Sequence, residues 1–141
     1  MARRKKREAR ATVAPPPRLV LDAGAVIGWS RADPAVRALL VTAIELGADL
    51  RVPVAVLAEV LRGRATDAPV HRVLKAVSVF PTEGRVGRMA GALLGRTGGT
   101  NLVDALVAAE AVVLEADVLT GDPDDLGRLL ADHPGVSVMR V

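Results

Sequence analysis

Short apolar runs alternate with helical patterns along this chain, and this alternation limits the fold more than any other feature of the sequence. Five segments suit strands: residues 19–21, 50–52, 77–80 and the stretches that begin at Asp117 and Gly135. The segments between them suit helices; residues 33–47, for example, start with Asp-Pro and end with Gly. We therefore predict an α/β fold of three layers, in which a central, mostly parallel sheet has helices on both faces.

Positive charge is concentrated at the start of the chain. Residues 1–17 hold six Lys or Arg and one Glu, whereas the rest of the chain holds 13 basic and 15 acidic residues. The basic composition and the three closing prolines predict a disordered tail over residues 1–17. This tail is either a solvated arm or a nonspecific nucleic-acid contact. Residues 18–141 are predicted to form one domain.

The composition argues against several classes of protein and of site. The chain has no Cys and two His, so neither a disulfide framework nor a zinc site is expected. One Trp, one Phe and no Tyr leave little aromatic surface on which bases could stack. No apolar run approaches the roughly 20 residues that a bilayer span needs, and the basic start lacks the apolar stretch of a secretory signal. We expect a cytoplasmic protein without membrane contact.

Two Asp residues directly follow predicted strands. Asp22 comes after the first strand, and Asp122 follows "VLTG". Sites in parallel sheets form beyond the carboxyl ends of strands, so both residues are candidates for function. Both could also be helix caps: Asp122 and the residues up to Asp125 suit the first four positions of a helix. The sequence leaves both interpretations open.

Two further acids lie where an apolar residue would be expected. Glu59 lies within "VAVLAEVLRG", where an unpaired carboxylate costs several kcal/mol, by order of magnitude. An ion pair with Arg62, three residues later, is the alternative explanation. Asp104 lies in the first turn of a strongly apolar helix, on the same face as Ala108 and Ala111, so another element can approach it closely. These two acids make a functional cluster more convincing than capping alone.

Four clustered carboxylates indicate a cation. Like charges raise each other's pKa unless a counter-charge is present. A set of ligands made of oxygen alone selects Mg²⁺ or Mn²⁺. Such ions serve phosphoryl chemistry, because they activate water and neutralise charge on phosphate oxygens. The pattern therefore indicates a phosphodiester or phosphate ester as substrate.

The motifs "LVLDAGAVIGW", "VPVAVLAEVLRG", "GRMAGALLGRTGGTNLVDALVAAEA" and "VLTGDPDDL" resemble the PIN-domain family in order and spacing. Within that family the chain is most similar to VapC-type toxins of bacterial toxin–antitoxin pairs. The resemblance covers the chain from Arg18 onward and implies a Mg²⁺- or Mn²⁺-dependent endoribonuclease. It also implies a homodimer and a cognate antitoxin that blocks the active site.

Carried over by motif position, the resemblance implies a catalytic quartet of Asp22, Glu59, Asp104 and Asp122. In our hypothesis Asp22, Asp104 and Asp122 hold one metal ion, and Glu59 binds it or orients the attacking water. Asp125 belongs to the same family motif and is either a further metal ligand or a helix cap.

Other positions are assigned supporting roles. Thr120 and Asn101 would support the site; many relatives carry an acid at the position of Asn101, so affinity for a second metal is in question. Arg85, Arg88 and Arg96 lie on one predicted helix, where they either contact RNA or antitoxin or form a solvated face.

Two alternatives remain at this point. One is a PIN fold that has lost activity and serves as an RNA- or protein-binding scaffold. The other is a haloacid-dehalogenase-like phosphatase, which "TGDPDD" would also suit. The phosphatase is less favoured, since it needs a second Asp where Gly24 stands and a Lys before the final motif.

Overall fold

The computed structural model describes residues 15–141. Most of the predicted tail therefore lies outside the described residues, and the prediction for it stays a prediction. Five strands are present in this range: β1 (Arg18–Leu21), β2 (Asp49–Pro53), β3 (Ser78–Phe80), β4 (Asp117–Thr120) and β5 (Val138–Arg140). Among the same described residues there are seven α-helices: α1 (Ala23–Ser30), α2 (Pro34–Glu45), α3 (Val54–Val60), α4 (Ala68–Lys75), α5 (Gly84–Thr97), α6 (Leu102–Leu114) and α7 (Pro123–Leu129). A 3₁₀ helix covers Ala65–Asp67.

Local sequence signals explain where several helices begin and end. The Asp33 side chain accepts hydrogen bonds from the backbone N–H groups of Ala35 and Val36, and Pro34 occupies the first turn of α2. Gly98 ends α5 in the left-handed conformation, with φ of 68°. Asn101 caps α6 by accepting from Asp104 N at 3.0 Å. These caps agree with the helix boundaries expected from the sequence.

The sheet is parallel throughout, with strand order β3-β2-β1-β4-β5. From β1 the chain moves to β2 and β3, and it then returns past β1 to β4 and β5. With right-handed crossovers, this reversal places α1 to α4 on one face and α5 to α7 on the other. The predicted three-layer α/β fold is confirmed. The order of the strands reverses between β1 and β4, which is where open α/β sheets bind their ligands.

The core lies on both faces of the sheet, and small residues of α6 pack in it against the two central strands. Ala105, Ala108, Ala109 and Ala111 are fully buried, as are Val20, Leu21, Val118 and Leu119 of the two central strands. This packing brings the first turn of α6 to the carboxyl edge of the sheet. Within residues 15–141 no single helix is long and apolar enough to cross a bilayer, and α5 and α6 meet that test only as a pair bent by 116°.

Candidate active site

Asp22 is the most firmly held of the predicted site residues. It follows β1, is 7% exposed, and its backbone N–H donates to Leu119 O at 3.0 Å. Its Oδ1 accepts from Ala23 N at 2.8 Å, so the residue caps α1. Its Oδ2 accepts from the Thr120 hydroxyl at 2.8 Å. Asp22 therefore caps a helix and also presents a fixed carboxylate at the switch point of the sheet.

Thr120 connects the ends of the two central strands. Its side chain is fully buried, and its Oγ1 donates to Asp22 and accepts from Asp122 N at 3.0 Å. The hydroxyl thus ties the turn after β4 to the turn after β1. The supporting role predicted for Thr120 has a structural counterpart in this bridge.

Asp122 occupies the N-cap position of α7, as the capping interpretation expects. Its side chain, however, makes no capping hydrogen bond and is exposed. Capping therefore leaves its carboxylate unused. Asp124 is also exposed, in agreement with a solvent-facing position.

The turns that carry Asp22 and Asp122 touch through two glycines. A Cβ added to Gly24 would lie 2.7 Å from Gly121 N and 3.0 Å from Gly121 Cα. Both neighbours are backbone atoms, so no side-chain rotation could relieve the contact. Gly24 is needed here to let the two acid-bearing turns approach each other.

Glu59 is half-buried and lies near the end of α3, the helix that directly follows β2. The alternative ion pair with Arg62 is wrong for this structure, because among residues 15–141 the salt bridges include none between them. The Arg62 Nη1 instead donates to Ala58 O and Leu61 O, at 3.1 and 2.8 Å. Burial and the neighbouring Asp22 raise the pKa of Glu59, and Arg62 opposes this rise.

Asp104 lies in the first turn of α6, where Asn101 caps the helix. Burial, followed by the charges of Asp22, Glu59 and Asp122, raises the pKa of Asp104 to about 6. Each of the other three members of the predicted quartet thus raises the pKa of Asp104. The four acids, which come from four separate segments of the chain, form one electrostatic cluster.

A cavity of about 320 Å³ adjoins this cluster between the α5–α6 loop and α7. Asp104, Asn101 and Asp125 line it, together with Arg128. Asp125 forms an ion pair with Arg128 one turn later on α7. Its carboxylate already has a partner, so a metal ion would have to compete with this pair for it.

The three arginines predicted to contact RNA or antitoxin lie on α5 and are exposed. Arg85 pairs with Glu83 at 2.8 Å, and the Arg96 Nη2 lies 3.2 Å from His133 Nε2. Arg88 has no hydrogen bond or ion pair within the described part of the chain. These contacts suit a solvated helix face as well as a binding surface, and the predicted role stays a prediction.

The donor set of the cluster suits Mg²⁺ or Mn²⁺, because every ligand would be a carboxylate oxygen. As the side chains stand, no group of three or more His, Asp or Glu in residues 15–141 is arranged to hold a metal ion. Repulsion among carboxylates without a counter-charge favours such an open arrangement. Glu59, Asp104 and Asp122 are half-buried or exposed and can rotate, whereas Asp22 is fixed. The residues fit a divalent ion if these three side chains rotate toward it.

Sequence reasoning missed Asp67, a buried acid in the loop before α4. Its Oδ2 accepts from the backbone N–H groups of Arg62, Gly63 and Arg64, at 2.9, 2.8 and 3.2 Å. These bonds, that of Arg62 most of all, lower the pKa of Asp67. The signal in the sequence is weak: an Asp that follows Gly63 by four residues in an otherwise exposed loop.

The fold is shared with solved toxin–antitoxin structures. VapBC2 from Rickettsia felis, bound to a fragment of promoter DNA, matches with a TM-score of 0.74 at 14% identity, over 88% of this chain and 98% of that chain. DNA-bound VapBC from Salmonella typhimurium matches with a TM-score of 0.63 at 17% identity, over 88% and 98%. VapBC-5 from Mycobacterium tuberculosis matches with a TM-score of 0.59 at 25% identity, over 89% and 100%.

Comparison of sequences gives the family directly. No curated protein matches the chain in sequence. The family model for the PIN domain matches residues 19–129, a range that contains all four acids of the cluster. On this match and the shared fold, the chain belongs to the PIN-domain family.

Proposed function

We propose that this protein is a divalent-metal-dependent endoribonuclease, the toxin of a cytoplasmic toxin–antitoxin pair. The observation that carries the proposal is the cluster itself: Asp22, Glu59 and Asp122 all raise the pKa of Asp104, at the switch point of a PIN fold. Four carboxylates in one electrostatic cluster destabilise the fold unless a cation accompanies them, so their presence calls for a functional reason.

In the proposed mechanism Asp22, Asp104 and Asp122 would hold one Mg²⁺ or Mn²⁺. When bound, the ion supplies charge neutralisation at the scissile phosphate and lowers the pKa of water. Asp22 provides the rigid reference point, because Thr120 and Ala23 N–H fix both of its oxygens. The side chains of Asp104 and Asp122 would rotate to complete the set of ligands.

Glu59 is assigned the role of proton acceptor for the attacking water. Its raised pKa makes it a better proton acceptor than an ordinary exposed Glu, so it can orient the attacking water and take up a proton on its carboxylate. Asn101 fixes the start of α6 and with it the position of Asp104. Its neutral amide adds no charge for a second ion, so we propose that one ion is enough.

A cognate antitoxin and a second copy of the chain are the proposed protein partners. The similar VapBC structures belong to a family described as toxin–antitoxin systems, which supports the antitoxin. The exposed apolar side chains of Val41 and Ile44 on α2, and of Leu46 just after it, offer surface for a protein partner. Arg85, Arg88 and Arg96 on α5 remain candidates for contact with RNA or with the antitoxin.

Cleavage of structured RNA tests the enzymatic part of the proposal. We expect the purified protein to cut a labelled RNA when Mn²⁺ or Mg²⁺ is added and to stop when EDTA removes the ion. Fragments resolved on a denaturing gel give the rate and the cut positions. Equal cleavage in EDTA would contradict the metal site.

The inactive scaffold is the second candidate, and the open arrangement of the carboxylates is the observation that favours it. A scaffold would bind RNA with the same affinity with and without metal, and it would leave the RNA intact. Binding and cleavage measured on the same oligonucleotide therefore separate the two candidates.

A further inference from the structure

The loop that follows α3, residues 61–67, is held rigidly by the buried carboxylate of Asp67. Three consecutive backbone N–H groups, from Arg62 to Arg64, donate to its Oδ2. Gly63 takes φ of 70°, a conformation that suits a residue without a side chain. The backbone that carries Arg62 is therefore fixed in place beside the acid cluster.

Arg62 is oriented but keeps part of its hydrogen-bonding capacity. Its Nη1 donates to the carbonyls of Ala58 and Leu61 at the end of α3. Nε and Nη2 make no hydrogen bond within residues 15–141, and the guanidinium forms no ion pair there. The cation acts on Glu59, whose pKa it lowers, so it lies within electrostatic reach of the cluster.

Arg62 shares a cavity of about 350 Å³ with Arg31, the residue that ends α1. Glu59 lines the same cavity, and Ser30 and Thr66 add hydroxyl groups. Arg31 also forms no ion pair among the described residues. Asp67 lines the cavity, but its Oδ2 is already committed to the loop. The size lies within the range of ligand-binding cavities, and two guanidinium groups suit an anion of planar or tetrahedral shape.

We propose that Arg31 and Arg62 form a phosphate subsite for single-stranded RNA, in the cavity between α1 and α3. The subsite holds a phosphodiester other than the one that is cut, and it directs the strand across Glu59 toward the cluster. This inference rests on the proposed ribonuclease function. It also answers an electrostatic problem, because a site built of four carboxylates needs nearby cations to attract a polyanion.

Binding of a fluorescently labelled single-stranded RNA tests the subsite. The Asp104→Asn background prevents cleavage, and fluorescence anisotropy gives Kd at several salt concentrations. We expect Arg31→Ala and Arg62→Ala each to weaken binding about 3- to 10-fold. Each should also reduce the slope of log Kd against log salt by about 0.7, the value for one phosphate contact on a single strand.

Lys75→Ala is the matched control. Lys75 is exposed and lines a different cavity, with Asp49 and Ser78 at the amino ends of β2 and β3. Removing it changes the net charge equally but leaves the carboxyl edge intact, so affinity and slope should not change. Arg62→Lys should keep the slope and lose affinity, because Lys contacts phosphate as a point charge. Circular dichroism of each variant shows whether it is folded.

The outcomes separate this inference from the proposed function. If the wild type cleaves RNA and both Arg variants bind like Lys75→Ala, the subsite is wrong and the nuclease stands. If the Arg variants lose RNA binding and the wild type does not cleave, the subsite stands and the nuclease falls. Wild type that binds no RNA overturns both. Binding of a labelled acidic peptide is measured in the same way. If Arg31→Ala and Arg62→Ala lose affinity for this peptide but not for RNA, the cavity belongs to a protein partner and the subsite is overturned.

Discussion

Asp104→Asn is expected to lower metal-dependent RNA cleavage at least about 100-fold, because the loss of even an outer-shell partner costs about 10- to 100-fold at metal sites. The same substitution should stabilise the protein in the absence of metal, since it removes one of four mutually repelling carboxylates. Lower activity combined with higher stability in the absence of metal is the result that the carboxylate cluster predicts for this variant. Rates of cleavage and urea denaturation of the same preparation check both effects.

The stability effect has a defined dependence on pH. The pKa of Asp104 is about 6 in the folded state and near its ordinary 3.8 when the chain is unfolded. The folded state therefore holds the proton more tightly. Its free energy of unfolding falls as pH rises from about 4 through about 6, and this loss is nearly complete at about pH 7. Because Asp104 is only half-buried, solvent screening limits this loss to about 1 kcal/mol.

Urea denaturation in EDTA, at about pH 4.5 and about pH 7, isolates the contribution of Asp104. The wild type should lose more stability between these values than Asp104→Asn does, by the amount that Asp104 contributes. Comparison with the variant cancels the contribution of titrating groups distant from Asp104, and the remaining difference belongs to Asp104 and its coupling with Asp22, Glu59 and Asp122. If the free energy of unfolding changed equally with pH in the two proteins, Asp104 would not interact with the other three carboxylates.

Gly24→Ala is expected to damage the site through geometry alone. Its new Cβ would lie 2.7 Å from Gly121 N, so the turns after β1 and β4 would have to move apart. Overpacking of this kind typically costs about 1–3 kcal/mol, and here the displaced atoms carry Asp22 and Asp122. We expect lower stability and a loss of cleavage at least as large as the loss of metal affinity.

Gly87→Ala provides the matched control for Gly24→Ala. Gly87 lies on α5, and apart from its chain neighbours and the nearby backbone of its own helix, no atom of residues 15–141 lies within 4 Å of a Cβ added there. Ala is the better helix former, so this substitution should be neutral or stabilising by up to about 1 kcal/mol. Equal effects of the two substitutions on stability and on Mn²⁺ affinity would contradict the role assigned to the contact between Gly24 and Gly121.

The fold followed from the sequence because its signals are local. Strand-length apolar runs, an Asp-Pro start and a Gly end determined the elements, and their alternation determined the parallel sheet. The placement of Asp22 and Asp122 at one edge followed from the same reasoning, since ends of parallel strands meet there. Glu59 and Asp104 stood out as acids in apolar surroundings, and the quartet came from the resemblance to the PIN-domain family. Membership of the PIN-domain family removes the ground for the phosphatase alternative.

What the sequence did not predict depends on contacts between distant segments. Pairing of Glu59 with Arg62 was a reasonable alternative from their spacing, but carbonyl groups at the end of α3 take up the Arg62 Nη1 instead. The Thr120 hydroxyl bonds to both Asp22 and Asp122. Thr120 and Asp22 are 98 residues apart in the sequence, so no local pattern could predict this contact. Likewise, Arg31 and Arg62 line one cavity because α1 packs against α3.

Titration of Mn²⁺ into the metal-free protein tests most directly whether the four carboxylates form one metal site. Free Mn²⁺ measured by electron paramagnetic resonance gives the affinity and the number of ions bound. Wild type should bind one ion, with affinity that rises through about pH 6 as Asp104 loses its proton, and Asp104→Asn should bind at least about 10-fold more weakly. Equal binding by the two proteins, or no binding by the wild type at millimolar Mn²⁺, would contradict the site.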